Sequence, residues 1–162
     1  MPRSDMGEFK RRADDIITEW LMRKKRETDA GESANAWFKR EAYRFLRDYI
    51  SSGRMALFDK IARLDRRPHK LVSEATENPF KLGLLAMFVD ESISRSDRHV
   101  FGNQMLYAHR HDVPAEFLNG FIAVSGKPAA IAQKLKDGSV EPGFEDRVGA
   151  LVSMTSQPTR GC

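Results

Sequence analysis

Apolar residues along this chain recur three and four positions apart, the spacing of one face of an α-helix. No segment alternates apolar and polar residues with the period of two that marks a half-buried strand. The pattern predicts an all-α fold. Its densest part is residues 78–93, where only Lys81 interrupts the apolar run between Phe80 and Val89. Asn78 followed by Pro79 is a helix start: the asparagine caps free amides, and proline brings a preset φ with no amide hydrogen to leave unpaired. A helix apolar on all sides, yet far too short to cross a bilayer, belongs in the middle of a bundle. Residues 79–91 are therefore expected to form a buried central helix. Gly83 inside it costs about 1 kcal/mol relative to alanine, which points to close approach of a crossing helix.

The other elements follow from the same periodicity. Met6, Phe9, Ala13, Ile16, Ile17 and Trp20 form one stripe, predicting a helix over residues 4–27. A second is expected over 33–52, with Ala34, Trp37, Phe38, Ala42, Phe45, Leu46 and Tyr49 inward and Gly53 as a left-handed cap. A third spans 54–64 through Leu57, Phe58, Ile61 and Ala62, and residues 66–77 read as irregular. Asp97 is placed as the cap of the next helix, which buries Val100, Phe101, Met105, Leu106 and Ala108. Pro114 opens another, with Phe117, Leu118, Phe121 and Ile122 as its buried face, and Pro128 opens a short helix to Asp137. A last helix is expected between Gly143 and Met154, then a flexible tail over 155–162. The sum is a single helical domain over 1–154, an irregular or orthogonal bundle of about seven or eight helices.

Composition narrows the class of protein. With 41% hydrophobic and 31% charged residues among 162, the chain has ordinary globular material for one core. The first residues lack the apolar stretch of a signal peptide, and no later run is long enough to span a membrane. Cys162 is the only cysteine, which rules out an internal disulfide or a thiolate cluster and suits a cytoplasmic setting. The formal charge of +4 is uneven: residues 1–75 hold 18 basic and 13 acidic side chains, whereas 76–162 hold 9 and 10. An anionic partner would be steered to the first half.

Two basic groups stand out there. Arg23, Lys24, Lys25 and Arg26 close the first helix, where the dipole favours cations whatever the function. On the second helix, at 100° per residue, Arg40, Arg44 and Arg47 fall within about 60° of one another opposite the apolar stripe, with Tyr43 beside them. Glu41 and Asp48 are expected nearer the core boundary, leaving Asp48 to pair with Arg44. Arginine forks and an exposed tyrosine suit phosphate contacts and base stacking, and they equally suit a protein interface. His99, His109, His111 and Asp112 are the metal candidates. Residues two apart on a helix diverge by about 200°, so His109 and His111 share a site only where the helix has ended. Asp14 with Asp15 and Asp90 with Glu91 are adjacent carboxylates that point apart, and no nucleophile, phosphate-loop or dinucleotide motif is present. Residues 114–136 have the small-residue flavour of a helix-turn-helix, but Pro128 breaks the unit and Gln133 is its main base-reading side chain.

The expected function is that of a small non-enzymatic binding protein without cofactor or membrane contact. Its basic half would face nucleic acid or a nucleoprotein complex through Arg40, Tyr43, Arg44, Arg47 and residues 23–26. The alternative is a protein–protein adaptor or inhibitor using the same ridge on an acidic partner. A third reading is an enzyme centred on the histidines.

Overall fold

The structure, a computed structural model, describes residues 2–26, 31–65, 69–88 and 92–144. Within them the chain is helical and holds no strand: α1 (Pro2–Lys25), α2 (Ala34–Ser51), α3 (Ala56–Leu64), α4 (His69–Ala75), α5 (Pro79–Met87), α6 (Arg95–Arg110), a 3-10 turn (Ala115–Phe117), α7 (Leu118–Ser125) and α8 (Pro128–Asp137). The expected last helix beyond Gly143, the tail and the Asp90–Glu91 pair fall outside the described residues.

The apolar run forms the centre of the bundle. Asn78 Oδ1 accepts from the Phe80 and Lys81 amides at 2.9 and 3.3 Å, and Pro79 occupies the first turn. From Leu82 to Met87 every residue of α5 is buried, and the helix packs against α1, α2, α3, α4 and α6. Gly83 is where that packing is tightest. A Cβ there would lie 2.7 Å from Leu46 Cδ2 of α2 and 3.2 Å from Phe58 Cε2 of α3. Gly102 of α6 does the same on the other side, against the Lys81 backbone nitrogen at 3.2 Å. Phe9, Phe45, Tyr49 and Phe58 form one aromatic cluster where α1 lies on α2 and α3. Trp20 stacks on Phe38 at 4.2 Å.

Four details differ from the sequence pattern. The central helix stops at Met87: Phe88 turns extended, at φ −104° and ψ 115°, and packs edge-on against Trp20 and Phe38. Residues 69–75, read as irregular, are helix α4, which buries Val72 and Ala75 one turn apart. An apolar pair that small makes no visible stripe, and its burial comes from contact with α3 and α5. Ser94, rather than Asp97, caps α6: its Oγ accepts from the Asp97 amide at 2.9 Å. The spacing Ser-x-x-Asp resembles a capping box, so the signal was in the sequence. Finally, Phe117 lies outside the core, 63% exposed, because Leu118, Phe121, Ile122 and Ser125 form the buried stripe of α7.

Candidate interaction surfaces

The arginine ridge of α2 is largely neutralised. Arg40 pairs with Glu32 through one terminal nitrogen and donates through Nε to Glu41 at 3.0 Å. Arg44 donates to the same Glu41 oxygen at 2.7 Å. Glu41 is thus the partner of both, while Asp48 lies 3.5 Å from Arg12 of α1, reversing the expected assignment. The Glu32 hydrogen bond raises Arg40 above its usual pKa. Burial pushes the Glu41 carboxyl up, but the hydrogen bonds from Arg44 and Arg40 outweigh it and hold the group below the carboxylate range. A phosphate would have to displace carboxylates already in place.

Tyr43 and Arg47 face inward. The Tyr43 ring is fully buried against Phe80, and its hydroxyl donates to the Val113 carbonyl at 2.6 Å. Burial raises its phenol above the usual range. It is a core residue and offers no face for a base, which corrects the exposed position inferred from the helical wheel. Arg47 donates to the same carbonyl at 2.7 Å, to His109 Nδ1 at 3.2 Å, and to Asp112. Asp112 has a φ of 53°, so the chain turns sharply here, and Arg47 with Tyr43 ties that corner to α2. These two residues organise the fold at the end of α6. Of the ridge, Arg44 is the most open, 51% exposed, beside a charged cleft between α1 and α2 lined by Arg12, Asp15 and Glu41.

At the end of α1, Arg23, Lys24, Lys25 and Arg26 are all exposed. Arg23 pairs with Glu19 at 2.9 Å and its guanidinium lies over Trp37, while Lys24 lies over Trp20. The run is a solvated cationic cluster resting on aromatic rings.

The histidines do not converge. His99 is exposed on α6, with Nε2 3.4 Å from Asn103 Nδ2. Burial, with Arg47 close by, lowers the pKa of His109, whose Nδ1 accepts a hydrogen bond from Arg47 Nε. His111 is buried with both nitrogens engaged: Nδ1 donates to the Tyr107 carbonyl at 2.7 Å and Nε2 accepts the Glu141 amide at 3.1 Å. Among the described residues no three histidine, cysteine or acidic side chains are grouped to hold a metal ion.

His111 belongs to a buried network that shapes an unanticipated surface. Glu141, 6% exposed, accepts from Tyr107 Oη at 2.5 Å and Lys134 Nζ at 2.6 Å. Burial alone would raise this carboxyl, yet the Lys134 and Tyr107 hydrogen bonds hold it below its usual pKa. The network clamps residues 139–144 onto α6 and α8 and sets Phe144 against His111 and Phe121. Between that segment and α7 opens a groove of about 480 Å³, walled by Val113, Pro114, Phe117, Phe121, Val124 and Phe144. Its acidic rim is Asp112 and Glu116. Phe117 and Val124 are 63% and 76% exposed, and Gly120 between them has no neighbouring atom within 4 Å of where a Cβ would sit.

The signal for this surface was present in outline. At 100° per residue, Gly120 and Val124 of α7 fall within about 40° of one another, away from the buried stripe, and Phe117 ends the 3-10 turn just before them, so the outer side of this segment carries apolar residues as well as the inner one. No family model, curated protein or solved structure matches the chain. The fold and these surfaces define its class as a helical bundle, in which no helix among the described residues is long and apolar enough to cross a membrane.

Proposed function

We propose that the chain is a non-enzymatic protein-binding module that docks a helix of another polypeptide along the outer face of α7. One observation carries this reading: two large apolar side chains, Phe117 and Val124, stand exposed beside an apolar groove of about 480 Å³. Scattered exposed apolar residues need no explanation, but a contiguous patch with a polar rim is the mark of a docking surface. The groove suits recognition in which one amphipathic helix lays residues spaced at three and four into a furrow. Glu116 on the rim favours a basic residue at the end of that helix. Saturable anisotropy of a labelled amphipathic peptide with basic ends, weakened about tenfold or more by Val124→Glu, is the expected result. A peptide that binds wild type and Val124→Glu equally would refute the site.

The exposed run Arg23, Lys24, Lys25 and Arg26 favours a second reading, electrostatic binding of nucleic acid. Its test is a titration with duplex and single-stranded probes across salt. Reversing the charges at Lys25 and Arg26 should lower the magnitude of the log–log salt slope by about two units if both contact phosphates. Absence of binding at low salt excludes it.

A further inference from the structure

We infer that the helix received on this face is α7 of a second copy of the chain, in an antiparallel twofold pairing centred close to Gly120. The inference rests on the reading of the α7 face as a docking surface and adds the identity of the occupant. A twofold interface must be self-complementary, since the same patch is presented from both sides. The α7 face meets that condition in shape. Phe117 stands three residues before Gly120 and Val124 four residues after it, both projecting into solvent, with the glycine as the low point between them. Running two such helices in opposite directions sets Phe117 of each copy beside Val124 of the other. The two glycines meet at the crossing, where missing side chains let backbones come close. The groove next to α7, about 480 Å³, has the volume to receive a phenyl ring from the second copy.

Charge selects the antiparallel arrangement. Glu116 is exposed just before α7, and Lys127 is exposed just after it. Antiparallel pairing brings the glutamate of one copy to the end where the lysine of the other lies, and it does so twice by symmetry. Parallel pairing would set glutamate against glutamate and lysine against lysine. An eight-residue helix is a short contact strip, so the association belongs with weak, concentration-dependent dimers.

Sedimentation of the full chain over a concentration series into the hundreds of micromolar tests this directly. Wild type should pass reversibly from monomer to dimer. Val124→Glu should remain monomeric with an unchanged circular dichroism spectrum, because the side chain it replaces is already in solvent. Glu116→Lys and Lys127→Glu should each weaken the dimer several-fold, and the double reversal should restore it. In a Cys162→Ser background, Gly120→Cys should cross-link on oxidation, as should a mixture of Phe117→Cys and Val124→Cys chains, whereas Val124→Cys alone should not. A chain that stays monomeric throughout, or a Val124→Glu dimer as tight as wild type, overturns the inference. A monomer that still binds the amphipathic peptide through Val124 refutes self-pairing and leaves the docking site standing. A monomer that binds no such peptide refutes both.

Discussion

Gly83→Ala puts the packing of the central helix to a quantitative test. In an open helix this change stabilises by roughly 1 kcal/mol, because alanine restricts the unfolded chain and glycine does not. The structure reverses the sign. The new methyl carbon would sit 2.7 Å from Leu46 Cδ2 and 3.2 Å from Phe58 Cε2, both on fully buried side chains that would have to repack against the core around them. Forcing an extra methyl into a packed core costs about 1–3 kcal/mol. Set against the propensity gain, the net is a loss of about 1 kcal/mol. Gly7→Ala is the control, since Gly7 lies in α1 with no atom within 4 Å of its Cβ position, and it should gain about 0.5–1 kcal/mol. Urea unfolding followed by far-UV circular dichroism measures both. Leu46→Ala combined with Gly83→Ala should lose less than the sum of the two single changes, because the shortened side chain vacates the space the methyl needs. If Gly83→Ala raises the unfolding midpoint as Gly7→Ala does, α2 and α5 do not approach as described.

Three further outcomes follow from the core and its polar contacts. Leu85→Ala, at a position 1% exposed, should cost about 2–5 kcal/mol in the same assay; a loss within surface scatter would place α5 at an exterior face. Tyr43→Ala should cost about 3–5 kcal/mol, as for a large aromatic emptied from a core, and Tyr43→Phe about 1 kcal/mol, since Arg47 still serves the Val113 carbonyl. A thermal midpoint indifferent to both would contradict its burial. His109 is held below its usual pKa by burial and Arg47, so the unfolded chain binds its proton first. Its contribution is present above the unfolded value of about 6.5 and is lost as pH falls from there through the folded value. His109→Gln should flatten that part of the stability–pH profile, and an unaltered profile would dismiss the assignment.

What the sequence determined by itself is the helical character and most of its inner faces. Periodicity of three and four is a local property, so Phe9, Ala13 and Trp20, or Phe38, Phe45 and Leu46, are assigned inward with no knowledge of partners. The Asn78–Pro79 start and the close approach at Gly83 were legible for the same reason, since caps and glycines act within one or two turns. Tertiary structure decided where long side chains find partners. Arg40, Arg44 and Arg47 share a face on the wheel, but that wheel does not contain Glu32, in the loop just before α2, or Asp112, in the turn after α6, which neutralise two of them. Tyr43 falls beside the arginines on the wheel and reads as exposed, and only the arrival of Phe80 and the Val113 carbonyl makes that position interior. The groove beside α7 was the least accessible to sequence reading, because its far wall is Phe144, held there by Tyr107, Lys134, His111 and Glu141. A helix face reads as buried or exposed only once its neighbours are placed: local spacing fixes the direction of a side chain, and burial depends on what long-range packing brings to meet it.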